Sequence, residues 1–200
     1  EIKNSQVINM ENGVNWLSLN IDKPTQVQIA TEVSCIGILL KDKKPVRTFI
    51  GTEGFSADMP LTSGQYVFGI RSLGGISLEQ VSLTVVCKTI ETITEDNPPH
   101  VRLASGESSI LQFTLNKKQT IGIGLKTDHE VMQAKLFADD FTQVCEGQQQ
   151  FLTLEKGTYY MWLHVPYYQE AAECEVKLVG QNVPSDMPPE NEIRKFKIEE

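Results

Sequence analysis

Several things are scarce in this 200-residue chain. No apolar run approaches the roughly 18 residues that a membrane-spanning helix needs, so no membrane span is expected. Clustered basic charge is missing as well. The net charge is −8 and the pI about 5.0. The only basic groupings, Lys41-Lys43-Lys44 and Lys117-Lys118, read as solvated turns. A sequence-independent phosphate surface needs gathered Lys and Arg, so a nucleic-acid partner is not expected. No stretch of ten or more residues carries the 3.6-residue period of an amphipathic helix, and little helix is expected.

Catalytic signatures are equally thin. The three histidines, His100, His129 and His164, fall in neither H-E-x-x-H nor H-x-H. No G-x-S-x-G is present, and Ala104–Ser109 reads as a loop, not a nucleophile elbow. No dinucleotide or Walker A glycine pattern occurs. No cysteine pair has the short C-x₂₋₄-C spacing of a zinc site. The acids Glu53, Asp58, Asp139 and Asp140 are not gathered as a calcium ion requires. The chain is read as a non-enzyme with no catalytic residue, no metal and no cofactor.

What is present is a sentence written twice. Leu17-Ser18-Leu19-Asn20-Ile21 overlays Leu111-Gln112-Phe113-Thr114-Leu115, and the register runs on through Val27/Ile121 and Ile29/Ile123. Gly13 and Gly106 precede the two copies. Leu39–Asp42 matches Leu136–Asp139, Ser63-Gly64-Gln65-Tyr66 matches Lys156-Gly157-Thr158-Tyr159, and Val81–Thr84 matches Val176–Val179. Order and spacing hold over five segments, which marks a tandem repeat.

The matched segments read as strands. "WLSLNI", "TQVQIAT", "ILQFTL" and "TIGIGLK" alternate apolar with polar residues. "YVFGIRS" and "YYMWLHV" carry the aromatic and β-branched residues that suit a pleated surface. Turn signals at Asp22-Lys23-Pro24, Asp42–Pro45, Ser63-Gly64 and Glu155–Gly157 separate them. The fold class that follows is all-β: two tandem β-sandwich, jelly-roll-like domains. The stiff Asn97-Pro98-Pro99 segment places the division near it, giving domains 1–95 and 96–182. A Pro-rich tail, 183–200, follows and could reach a partner by adding a strand to a sheet edge. The chain opens Glu1-Ile2-Lys3, which reads as a chain whose leader has been removed or as a piece of a longer protein.

Four cysteines allow three pairings. If the chain is two domains they divide two and two, so Cys35–Cys87 and Cys145–Cys174 are expected as disulfides, and with them an oxidising compartment. The alternative is four buried free thiols.

These repeated features resemble the bacterial pre-peptidase C-terminal (PPC) domain. The family's early strand pair corresponds to Leu17–Ile29 and Leu111–Ile123, its middle strand and Asp turn to Leu39–Asp42 and Leu136–Asp139. Its Gly-Thr-Tyr-Tyr strand corresponds to Gly64–Arg71 and Gly157–Val165, and its final strand to Val81–Val85 and Cys174–Val179. The resemblance covers about 170 residues and implies exported, bacterial, sandwich-shaped accessory domains. The sequence departs from it where many members carry an acidic residue before the middle strand: here stand Ser34–Gly37 and His129–Met132.

Local chemistry explains the repeated corner. Gly157 is expected at positive φ, and the Tyr159 and Tyr66 hydroxyls are expected to reach backbone. The candidate binding surface is aromatic. Alternation turns Tyr159, Met161 and Leu163 one way and Tyr160, Trp162 and His164 the other. If the first set is core, the second is outside, followed by a loop that presents Tyr167 and Tyr168. Such a surface suits a carbohydrate or protein partner. The competing expectation is that the two domains pack through this face. The function expected is a non-catalytic, exported binding or adhesion module, periplasmic or secreted. The alternative is a structural, secretion or assembly accessory of a larger secreted enzyme or toxin system.

Overall fold

The computed structural model describes residues 6–73, 82–127 and 130–180. In the first half, β1 (Gln6–Asn9), β2 (Val14–Ile21), β3 (Thr25–Thr31), β4 (Cys35–Lys41), β5 (Lys44–Gly51), β6 (Phe55–Leu61), β7 (Gly64–Ser72) and β8 (Ser82–Thr89) form two four-stranded sheets. Their orders are β1-β8-β3-β6 and β2-β7-β4-β5. The second half contains β9 (Glu91–Thr92), β10 (His100–Leu103), β11 (Ser108–Leu115), β12 (Gln119–Lys126), β13 (Gln133–Ala138), β14 (Gln143–Glu146), β15 (Gln149–Leu154), β16 (Gly157–His164) and β17 (Ala172–Val179). Its sheets run β10-β17-β12-β15 and β14-β13-β16-β11-β9. Replace β10–β17 by β1–β8 in order and the topology is the same. Both halves are eight-strand jelly rolls, and the second carries β9 as an added strand parallel to β11.

The sequence repeat is therefore a repeat of strand position. β2 alternates strictly between exposed and buried from Trp16 onward, with Leu17, Leu19 and Ile21 inside. Its counterpart β11 buries Leu111, Phe113 and Leu115. Leu19 pairs with Tyr66 across β2 and β7, and Phe113 with Tyr159 across β11 and β16. In the second half these two rings stack with centroids 5.4 Å apart. Each half closes its own core: one around Val27, Ile29, Leu39, Phe68 and Ile70, the other around Phe113, Ile121, Leu136, Leu163 and Val176. Burial of each such side chain contributes about 1.5–3 kcal/mol against the entropy of ordering the chain.

The expected disulfides are not formed; all four cysteines are free thiols. Strand geometry gives the reason. Cys35 opens β4 just beyond the turn after Thr31, whereas Cys87 pairs with Val27, four positions back along β3. At about 3.3 Å per residue that separates them by ~13 Å, about twice what a disulfide spans. Cys145 lies on the edge strand β14, which leads directly into the β15 edge of the facing sheet. Cys174 lies on β17, two strands in from β15, roughly 10 Å away at the usual strand spacing. Burial pushes every one of these thiols up in pKa, Cys174 to about 11. They behave as small core hydrophobes.

The corner residues meet expectation in part. The Tyr159 hydroxyl donates to the Glu155 carbonyl at 3.0 Å. Tyr66 reaches the equivalent position four residues upstream but meets a side chain, the Thr62 hydroxyl, at 3.0 Å. Gly64 has φ +145°, while Gly157 is not at positive φ. The hairpin between β4 and β5 turns through two left-handed non-glycine residues, Asp42 (φ 50°) and Lys43 (φ 65°). That is the conformation a type I′ turn imposes. His129 and the tail 183–200 lie outside the described residues.

Candidate functional site: a cleft between the jelly rolls

Alternation along β16 sends Tyr159, Met161 and Leu163 into the second core. Tyr160, Trp162 and His164 take the opposite face, as the pattern requires. That face is not open. Tyr160 is only 1% exposed and clusters with Ile90, Ile110 and Trp162. The expectation that it lies outside is corrected, because the β5–β6 edge of the first jelly roll docks against this sheet.

Three sets of contacts make the joint. Gln26 and Ser108, both buried, form the polar one. The Gln26 side-chain Oε1 accepts from the Ile110 N–H at 2.9 Å. Its amide donates to Ser108 Oγ at 3.2 Å and Asp58 Oδ1 at 3.2 Å, and Ser108 Oγ donates to Asp58 Oδ2 at 2.8 Å. A satisfied buried network of this kind fixes one docking geometry, since sliding would strand its members. The apolar set is Ile90, Ile110, Tyr160 and Trp162. The third is Arg47, whose guanidinium lies 5.0 Å from the Phe49 ring centroid, 5.7 Å from Phe137 and 5.6 Å from Phe141. Phe141, from the β13–β14 turn, packs against the first core although it belongs to the second half.

The joint does not close completely. It leaves a cleft of about 370 Å³, lined by Gln28, Arg47, Phe49 and Asp58 from one side and Lys135, Phe137, Tyr160, Trp162, His164 and Tyr167 from the other. Trp162 is already engaged: His164 stacks on it at 5.1 Å and Lys135 Nζ lies 5.7 Å over its ring. His164 Nδ1 is 3.1 Å from the Glu107 carbonyl, to which its N–H donates in that tautomer. Lys135 also faces Glu146 at 3.8 Å. Burial lowers the pKa of Arg47, which nevertheless stays charged.

The aromatic loop divides. Tyr167, 71% exposed, rests its ring on Gly106 at the cleft rim. A Cβ at Gly106 would stand 2.5 Å from that ring, and φ there is +74°, so only glycine admits the contact. Tyr168 is 99% exposed and lies outside the cleft lining; its N–H donates to Ser105 Oγ at 3.0 Å. Four of the five candidates thus meet in one place, and Tyr168 does not.

Sequence reasoning missed Arg47, Phe137, Phe141 and the role of Asp58. The sequence carried no signal for them: in "KPVRTFIG" alternation by itself would turn Val46 and Ile50 inward, yet these are exposed and Arg47 and Phe49 are half-buried. Among the described residues, no group of three or more His, Cys, Asp or Glu could hold a metal ion, and no helix is long and apolar enough to cross a membrane.

No protein-family model matches the chain. No curated protein matches it. Among solved structures it is similar to the CUB1-EGF-CUB2 domain of human MASP-1/3, at 7% identity and TM-score 0.30, over 88% of this chain and 100% of that one. It is also similar to the M60 catalytic domain with the CBM51-1 and CBM51-2 domains of Clostridium perfringens ZmpB, at 7% identity and TM-score 0.30, over 88% of this chain and 38% of that one. A third is Bacteroides uniformis beta-glucuronidase, at 10% identity and TM-score 0.30, over 78% of this chain and 22% of that one. Likeness at this level carries no functional argument.

Proposed function

We propose that the chain is a non-catalytic binding module, built from two PPC-like domains that divide between β8 and β9, and that it takes a glycan or protein partner in the cleft between its jelly rolls. The carrying observation is that both halves contribute aromatic and charged side chains to one concave site, which neither half forms alone. Export to the periplasm or beyond is part of this reading. With the thiols free, it rests on the PPC resemblance and not on cysteine chemistry. A glycan and matrix-protein array tests the module. Binding that is lost at least tenfold in Tyr167→Ala and Trp162→Ala supports it. Binding unaffected by both substitutions, or none at all, counts against it. A broad hydrolase panel with no turnover accords with the absence of catalysis; turnover abolished by His164→Ala would reverse it.

A second reading, an assembly role within a larger secreted system, has its own observation. The outer face of β2-β7-β4-β5 exposes Trp16, which is 57% accessible and lies over Gly69, together with Val14, Val46 and Ile50. An apolar sheet face of this kind suits contact with another protein surface. A Trp16→Ser change that abolishes co-purification with a neighbouring domain or partner would favour this role; unchanged co-purification would not.

A further inference from the structure

Two hydrogen-bond donors at the joint have no protein acceptor among the described residues, one open to the cleft and one sealed beneath it. One is the Arg47 guanidinium, which carries five N–H groups in a plane. It is half-buried over three phenyl rings, and none of the ion pairs among the described residues includes it. The other is the Tyr160 hydroxyl, buried with no partner. Burial raises the phenol's pKa above its ordinary value, with Asp139 adding to the effect, so it keeps its proton and remains a donor. The two flank one ring: Arg47 lies 5.7 Å from Phe137, and Phe137 is the cross-strand partner of Tyr160. Lys135, two positions back on β13, adds a second cation.

A partly desolvated cation with no counter-charge is costly, and so is a buried hydroxyl with no acceptor. An anionic oxygen in the cleft would answer the first of these. Asp58 supplies the opposite need. Two of its roughly four acceptor sites are taken by Gln26 and Ser108, leaving acceptor capacity for hydroxyl donors. A cation without a counter-charge stands beside an acceptor with room, and an aromatic ring lies at the rim.

We infer that the cleft binds a carboxylate-bearing sugar, with its carboxylate toward Arg47 and Lys135, its hydroxyls toward Asp58, and its ring against Tyr167. An acidic peptide side chain would satisfy the cations but bring no hydroxyls to Asp58. The cleft's volume suits a small ligand, and a planar guanidinium receives a carboxylate through two parallel hydrogen bonds. This rests on the cleft being the binding site and names what it takes.

Calorimetric or NMR titration of the intact chain with D-glucuronate, N-acetylneuraminate, D-glucose and N-acetylglutamate tests the inference. The two acidic sugars are expected to bind at least tenfold more tightly than glucose or N-acetylglutamate. Arg47→Gln is expected to erase that preference, and Arg47→Lys to retain part of it. If Arg47→Gln fails to fold, Lys135→Gln is read in its place, with a severalfold loss of the preference for the acidic sugars. Equal binding of glucose and glucuronate, or a preference untouched by both cation variants, overturns the inference. So does N-acetylglutamate binding as tightly as the sugars. Neutral glycans bound in a Tyr167-dependent way with no gain from a carboxylate would remove the inference and leave the binding-cleft reading standing. No ligand at the cleft in either assay would remove both.

Discussion

Phe141 is carried by the second jelly roll and lies 5.6 Å, ring centroid to guanidinium carbon, from Arg47 of the first. It holds this place with φ at 66°, a conformation that costs a non-glycine residue about 1–2 kcal/mol. The contact across the joint is what offsets that strain. The usual ranking of small substitutions should therefore invert. Phe141→Ala keeps the strain and loses the ring, whereas Phe141→Gly loses the ring and the strain together. Glycine is expected to be more stable than alanine by about 1 kcal/mol, read from urea denaturation midpoints at constant m-value.

Removing the Tyr160 hydroxyl should stabilise the protein. In the absence of ligand the group is buried with no acceptor, and such a group costs about 1–3 kcal/mol. Tyr160→Phe is expected to raise the unfolding free energy by about 1 kcal/mol. A loss of similar size would mean that an acceptor is bound there after all.

The polar joint should be fragile to truncation. Gln26→Ala strands the Ile110 N–H and loosens Ser108 and Asp58. A cost of about 2–3 kcal/mol is expected, with the single unfolding transition broadening or splitting as the halves uncouple. Coincident fluorescence and circular-dichroism transitions in the variant would contradict the uncoupling.

Alkaline pH should weaken the fold through Cys174. Its thiol titrates near 9 when exposed and near 11 when folded. The folded state holds the proton more tightly, so the contribution is complete below pH 9 and is lost as pH rises toward 11. The full effect approaches 2–3 kcal/mol, at about 1.4 kcal/mol per unit. Cys174→Ala should flatten the decline in stability between pH 9 and 11. Separately, alkylation of the denatured chain without reductant should modify all four thiols.

How much of this was legible follows from which strands had to stay alike. The matched segments fall on β2, β3, β4, β7 and β8 and their counterparts, where Leu19 and Phe113 or Ile29 and Ile123 fill equivalent core positions. Alternation and repetition exposed them. The strands that escaped, β5 and β6 above all, are those the two halves use differently. In the first, Arg47 and Asp58 serve the joint; in the second, β15 exposes Phe151 to solvent. The site shared that fate. Tyr160 and Trp162 were found from one strand's alternation, but Arg47 is more than 110 positions away, and only tertiary docking brings it to Phe137. The disulfide expectation failed for a related reason. Division of cysteines between halves says nothing of which end or which edge of a sandwich each occupies.

The strand β9 has an evolutionary consequence. It follows the last strand of the first jelly roll with one residue between, yet Leu111 and Gln112 are its pairing partners and Ile93, just beyond it, is wholly enclosed by the second core. The duplicated units are thus spliced, not beaded. Recombination that moved the later copy elsewhere would have to carry a few residues of its predecessor's exit along, and a graft trimmed at the prolines would arrive with a hole where Ile93 belongs.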